Sequence, residues 1–292
     1  MKLNLRLLPV LLAVLCAVGC LSLSACEGQA GKTPAATTAS TVSLPDEKKT
    51  ESISDGVFSY DLYKSYAEVT GYLGAESSIM IPAEAGGLPV MSIGKSAFAL
   101  SSTVERVFLP DTVTNIANYA FNQAASLCDI NLPENLISVG NYAFRGCSLT
   151  QITLPESLTN IGKYAFAELQ ITTVKLPSRI AKIGDYAFSG NTLLTSYELP
   201  EGLTKIANRM FYGCTSLTEI TIPDHITELD DYAYSGCSSL TSITVPATVT
   251  ELGEGVFYNC PNLIIKTTAG SATEAYAQKY KLNYEILPAN PK

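Results

Sequence analysis

One phrase recurs along most of this chain with the regularity of a stack. Dipeptides of an aliphatic residue and proline end at Pro82, Pro110, Pro133, Pro155, Pro177, Pro200, Pro223 and Pro246, the last seven 22 or 23 residues apart. Aromatic anchors keep step at Phe98, Phe121, Phe144, Phe166, Phe188, Phe211, Tyr234 and Phe257. The first proline gap is longer because Ala83–Gly87 is inserted there. A period of this length marks a repeated supersecondary unit that cannot bury its apolar face alone, so that stacked neighbours must bury it together. The chain is therefore expected to form a solenoid of about eight rungs, roughly 35–40 Å long at the spacing of paired strands.

Each part of a rung has a physical task. In "SLTQITLPESLTNIGKYAFAE" (Ser148–Glu168), the stretch Leu149–Pro155 reads as a short strand. Ile152 and Leu154 would alternate inward while Gln151 and Thr153 face out, and Pro155, lacking an N–H, would end the ladder. Ser157–Gly162 would turn a corner with Leu158 and Ile161 buried, with room for a second short strand. Lys163–Glu168 would form a helical turn that drops Ala165 and Phe166 into the core.

This unit closely resembles the BspA-like leucine-rich repeats of bacterial surface proteins, whose pattern is LTxIxLPxxVTxIGxxAFxGC. The resemblance covers about 76–268 and implies a right-handed leucine-rich-repeat solenoid of parallel strands and short helical turns. Met210, Tyr234 and Val256 depart from the pattern and should loosen packing locally. The domain is expected over 53–292, with an N-terminal cap over 53–75, repeats over 76–268 and a C-terminal cap over 269–292. In that last segment Ser271 followed by Glu274 is a capping box, predicting a helix to about Lys281 and then a final strand in "LNYEIL". The resemblance further implies adhesion to host or matrix proteins, or to other cells.

Cys147, Cys214, Cys237 and Cys260 each lie three residues after an aromatic anchor, where other rungs carry Ser101, Ala124, Leu169 and Asn191. The position calls for a smallish, mostly buried side chain, which cysteine supplies as a small hydrophobe. Free thiols are the expectation, and a bridge between adjacent rungs is the alternative. Zinc is excluded by distance. Two thiolates on one ion sit at most about 4.6 Å apart, whereas Cys214 and Cys260, two rungs apart, are separated by roughly 9–10 Å.

The N-terminus carries a different signal. Lys2 and Arg6 precede an apolar run from Leu7 to about Leu23, and "LSAC" follows at Leu23–Cys26. A basic head, an apolar body and small residues before a cut mark a secretory segment, here 1–25. "LSAC" resembles the bacterial lipobox, which implies lipidation at Cys26 and display of the protein on the bacterial cell surface, with the lipid as its membrane contact. Cleavage before Cys20, or an uncleaved anchor over Leu7–Ala25, are the other readings. Residues 26–52, rich in Ala, Thr, Ser, Gly and Pro, read as a flexible tether.

Composition narrows the function. The 292 residues carry net charge −8 with only 16% charged side chains, one His and no Trp. An acidic chain argues against nucleic acid and against an electrostatic hold on anionic membranes. His225 is expected on an exposed corner, since Thr112, Asn135, Ser157, Arg179, Gly202 and Thr248 occupy the same place. No nucleophile–base pair, phosphate loop or carboxylate pair stands out, and no cofactor or metal is called for. The expectation is a non-enzymatic binding protein. Its binding face would be the outward strand positions, centred on Arg106, Phe108, Asp129, Asn131, Gln151 and Thr153, and its partner a protein. The alternative is a glycan or cell-wall polymer on host or bacterial surfaces. It would be held by a half-exposed ladder of Tyr119, Tyr142, Tyr164, Tyr186 and Tyr232.

Overall fold

The structure, a computed structural model, describes residues 44–288. The secretory segment, Cys26 and most of the expected tether lie outside the described residues. The chain builds a parallel β-solenoid with two laddered faces. Strands that run up to the prolines form one, here called the proline face. Strands that end just before a recurrent glycine form the other, the glycine face.

The N-terminal end is closed by a meander of three strands: β1 (Glu51–Ser54), β2 (Phe58–Leu62) and β3 (Ala67–Tyr72). They pair antiparallel, and β3 then joins the first glycine-face strand, Leu88–Ile93, in parallel. The ordered chain reaches further back than residue 53. Glu47 accepts hydrogen bonds from the amide and hydroxyl of Ser65, and Thr50 bonds twice to the Leu62 carbonyl. From Leu88–Ile93 the glycine face continues through Asn115–Ile116, Ser138–Val139, Asn160–Ile161 and Lys182–Ile183, all in parallel register.

The glycines are needed because rungs approach closely. A β-carbon on Gly162 would lie 2.5 Å from the Asn141 amide nitrogen, a distance that real β-carbons do not show.

The aromatic anchors form the axis of the core. From Phe98 to Phe257 successive rings stack with centroids 5.0–6.3 Å apart. Tyr72 covers the first ring and Tyr276 meets the last edge-on. Tyr276 belongs to the helix Ala272–Tyr280, which opens at Ser271 with its hydroxyl accepting the Glu274 amide. After the helix, Tyr284–Ile286 pairs in parallel with Ile264–Thr267. The eight proline-marked rungs thus continue into two more strands, making a stack of about ten.

Two expectations about the rung need correction. Lys163–Glu168 is not a helical turn. Tyr164 and Glu168 have φ of 55° and 58°, left-handed values that break a helix at both ends. The segment is a pair of tight turns whose alternate amides reach the next rung, as Phe166 N–H does to the Ala187 carbonyl. Leu149–Pro155 occupies its place on the proline face but forms no strand. One rung earlier the ladder is already shortened. The Asn131 side chain accepts the Leu109 N–H at 2.7 Å and donates to the Leu109 carbonyl at 2.9 Å. It takes up main-chain groups that a continuing ladder would have used, and the strand pairing Ser78–Met80, Arg106–Phe108 and Asp129–Ile130 ends there.

A second interruption flanks the rung of Ser196–Glu198 and Lys205–Ile206, before it on the glycine face and after it on the proline face. Among the described residues the proline-face ladder stops between Ser196–Glu198 and Glu219–Thr221, and the glycine-face ladder stops between Lys182–Ile183 and Lys205–Ile206. At this level Tyr197 takes the inward place held elsewhere by Val107, Val174, Ile220 or Ile243. Its ring stacks on Phe211 at 4.3 Å and its hydroxyl meets that of Tyr234 at 2.6 Å. The turn-side hydrogen bonds continue across the same rungs, as from the Phe188 N–H to the Met210 carbonyl and from the Phe211 N–H to the Ala233 carbonyl.

Candidate functional site

The two faces offer different surfaces. On the proline face Arg106 and Phe108 lie on one strand, in register with Ser78 and Met80 on its neighbour. Phe108 is 44% exposed and Met80 74% exposed, so two apolar side chains lie next to each other in open solvent. Asp129 sits beside Arg106 in the ladder. Asn131 is exposed but committed to Leu109 on both sides of its amide. Gln151 and Thr153 are exposed on the segment that forms no strand. The structure therefore gathers Arg106, Phe108 and Asp129 with Met80 into a flat patch, and leaves Asn131 structural.

The glycine face is concave. A groove of about 570 Å³ runs across four rungs, bounded by Asn115, Asn118, Ser138, Asn141, Asn160, Lys163, Lys182 and the strand ends up to Gly184. From its first rungs a chain of side-chain hydrogen bonds runs back to the N-terminal cap. Ser92 donates to Glu68, Asn115 to Ser92, and Ser138 to Asn115. Burial pushes the Glu68 carboxyl above its ordinary pKa, opposed by the Ser92 hydroxyl and assisted by the negative charge of Asp61. The groove's signal was present in the sequence as the Asn or Lys that precedes Tyr119, Tyr142 and Tyr164, but only the strand pairing shows that these residues share a hollow.

The tyrosine ladder lies in the turns that follow. Tyr119, Tyr142, Tyr164 and Tyr186 stack at 4.9, 4.7 and 4.2 Å with planes within 12°. The gap in the row before Tyr232 is filled by Arg209. Its guanidinium lies 5.3 Å from the Tyr186 ring and 4.3 Å from the Tyr232 ring, so cation–π contact carries the stack across. Arg145 lies over Tyr142 and Tyr164 and is held by Glu168 at 2.8 Å. Every ladder residue sits at positive φ, from 52° to 63°. The stacking covers the ring faces, which are the surfaces that would pack on a sugar. The tyrosines present edges and hydroxyls and do not line the groove.

The cysteines have a common role. Cys147, Cys214, Cys237 and Cys260 are unbridged. Each thiol points at the carbonyl of the aromatic anchor one rung back: Phe121, Phe188, Phe211 and Tyr234, at 3.1–3.4 Å. Asn191 occupies the same position and donates to the Phe166 carbonyl, so the position serves as a rung-to-rung donor as well as a filler. Burial raises the thiol pKa to about 12 at Cys147 and Cys214 and about 11 at Cys260. Cys237 is raised further still by burial and by its two neighbouring thiols. Among the described residues no group of three or more His, Cys, Asp and Glu is disposed to hold a metal ion.

His225 is not on an exposed corner. It is half-buried, and its Nε2 is enclosed without a hydrogen-bond partner among the described residues. At the same corner Thr112, Ser157 and Thr248 donate to the Val90, Leu136 and Ile226 carbonyls of the preceding rung. The corner is a place where rungs are stitched, which explains its preference for short hydroxyl side chains.

Comparison with known proteins agrees with this architecture. The BspA type leucine rich repeat region, in six copies, matches residues 91–180 and 159–283. No curated protein sequence matches the chain. A leucine-rich repeat protein from Bacteroides ovatus is 25% identical, with a TM-score of 0.56, over 77% of this chain and 70% of that one. A leucine rich repeat protein of T. pallidum is 26% identical, with a TM-score of 0.55, over 82% of this chain and 100% of that one. With its rungs, capped aromatic stack and matching repeats spanning well over half its length, the chain belongs to the BspA type leucine rich repeat family.

Proposed function

We propose that this chain is a lipid-anchored binding protein of the bacterial cell surface that adheres to a protein partner through its proline face. The observation that carries this reading is the side-by-side exposure of Met80 and Phe108 next to Arg106 on a flat parallel ladder. Interfaces centre on a few aromatic and Arg anchors within about 800 Å² per partner, and a solenoid supplies the flat area around them. Asp129 flanks Arg106, which favours a partner with an alternating charge pattern over a purely acidic one. The reading is of a binding module and not of an enzyme.

Capture with the full chain from host-cell and bacterial surface extracts identifies the partner. The double change Arg106→Ala with Phe108→Ala should then weaken binding at least tenfold, while Lys182→Ala on the other face leaves it unchanged. Equal binding by the double variant would place the interface elsewhere. The anchor is tested separately. Cys26→Ser should abolish incorporation of a fatty-acid label, and undiminished label would refute lipidation at that residue.

A further inference from the structure

The N-terminal cap meets the solenoid along one strand pair, and that seam holds a carboxyl group without a cation. β3 joins Leu88–Ile93 in parallel, and the register slips between Ala67 and Glu68. At the slip Glu68 reaches out of the cap and accepts the Ser92 hydroxyl at 2.7 Å. Ser92 is fully buried. Glycine at position 94 leaves room for this contact, since a β-carbon there would lie 3.0 Å from the Glu68 carboxyl carbon. On its other side Glu68 stands in register with Asp61 of β2. Tyr60 and Leu62 point inward, as do Ala67 and Val69, so Asp61 and Glu68 share the outer face. Like charges directly opposite each other on paired strands are destabilising. Asp61 has partners of its own, the Ser52 hydroxyl at 2.6 Å and the Lys49 ammonium at 3.4 Å. Among the described residues Glu68 makes no ion pair.

An ionised Glu68 is therefore half withdrawn from water, faces a second negative charge and is offset only by a hydroxyl. Tyr63 and Tyr66, beside the turn from β2 to β3, are its other titratable neighbours, and burial raises both phenols so that neither is charged at neutral pH. Burial likewise holds the Glu68 carboxyl above its ordinary pKa, against the Ser92 hydroxyl and with the Asp61 charge. The folded chain thus binds this proton more tightly than the unfolded chain does. Ionisation weighs against the folded state above the raised folded value, and that cost vanishes as pH falls to the unfolded value of about 4.3. A proton on Glu68 also turns an acceptor into a donor facing the Asp61 carboxylate. We infer that this seam is a proton-operated clasp, in which protonation of Glu68 tightens the cap on the first rung and ionisation loosens it. The clasp is independent of the proline-face patch. All of the chain before residue 44 enters the fold through this cap, so the clasp sets how firmly the first edge of the solenoid is closed as the surroundings acidify.

Glu68→Gln keeps the shape and an oxygen for Ser92 but carries no charge at any pH, so it should hold the clasp shut. In thermal melts of the full chain in detergent micelles, the variant should melt about 2 °C or more above the wild type at about pH 7.5 and level with it at about pH 4. Comparison at the same pH cancels the titration of every other group. Hydrogen exchange then locates the effect. In the wild type the amides of β2 and β3 should gain protection relative to the rest of the chain as pH falls over this range, and in Glu68→Gln their relative protection should stay constant. Glu84→Gln changes an exposed carboxyl at the same end of the molecule and should reproduce neither result. The exchange measurement on the wild type decides the matter even if the variant misfolds. A variant no more stable than the wild type at about pH 7.5, an equal gain at about pH 4, or wild-type β2 and β3 amides whose relative protection does not rise with acid would each overturn the clasp.

Discussion

Changing Tyr234 to Phe removes one oxygen from a fully buried ring and strands another. The Tyr197 and Tyr234 hydroxyls are 2.6 Å apart, with one donating and the other accepting. Burial pushes both phenols well above their ordinary pKa, so both stay protonated at neutral pH. Removing either partner leaves a buried hydroxyl unsatisfied, which costs about 1–3 kcal/mol. Removing both leaves two apolar rings of nearly the same shape and no orphan, which is close to neutral. Each single variant, Tyr197→Phe or Tyr234→Phe, should therefore lose about 1–3 kcal/mol, and the double variant less than about 1 kcal/mol. Independent sites add to within about 0.5 kcal/mol, so the coupling is well outside that range. Urea titration followed by far-ultraviolet circular dichroism measures it, with a constant slope as the check that only stability has changed. A double variant whose loss equals the sum of the singles would show that the hydroxyls are solvated separately and that Tyr197 does not belong to the core.

Three further outcomes follow from the rung geometry. Gly162→Ala forces a β-carbon to within 2.5 Å of the Asn141 amide and should cost about 1–3 kcal/mol, while Gly202→Ala, whose nearest neighbour would be 3.9 Å away, should stay within about 0.5 kcal/mol. Alkylation at pH 8 followed by peptide mass mapping should label Cys260 before Cys147 and Cys214, which react only on unfolding. Because these folded thiols titrate at about 11–12, against about 8.5 unfolded, their contribution to stability is full below pH 8.5 and is lost as pH rises toward 11–12. Tyr164→Gly should destabilise the chain in thermal melts although its φ of 55° favours glycine, because the stacking of its ring on both Tyr142 and Tyr186 is lost. Ser96→Gly, at φ 58°, should be neutral or slightly stabilising, and a gain at both positions would mean that the ladder is not structural.

Much of the fold was legible because the repeat states each contact eight times. The inward aliphatics, the aromatic axis and the helix opening at Ser271 follow from period, volume and capping chemistry. What was hidden depends on partners one rung or more away. Nothing local in Asn131 says that its amide will take up the Leu109 main chain, because that needs the rungs to be in register first. Tyr197 reads as an ordinary strand residue until its hydroxyl is placed against Tyr234, 37 positions on. Tyr234, which looked like a flaw in the aromatic column, is the other half of that pair. Arg209 is invisible as a ladder member for a similar reason, since a guanidinium substitutes for a ring only through its neighbours' π-faces.

The same departures set the limits of the groove. Its lining runs to Lys182 and Gly184, and the glycine-face ladder stops at Lys182–Ile183. Past that point Lys205 is clamped between Glu228 and Asp230, both at 2.8 Å, so the next cation along the face is already neutralised. A stack of identical rungs would carry one uniform surface from cap to cap. Here the glycine-face ladder breaks, and the charge pattern changes on either side of the break. Asn118, Asn141 and Lys182 lie on the N-terminal side of it, on four rungs held in unbroken register, and among the described residues Lys182 makes no ion pair.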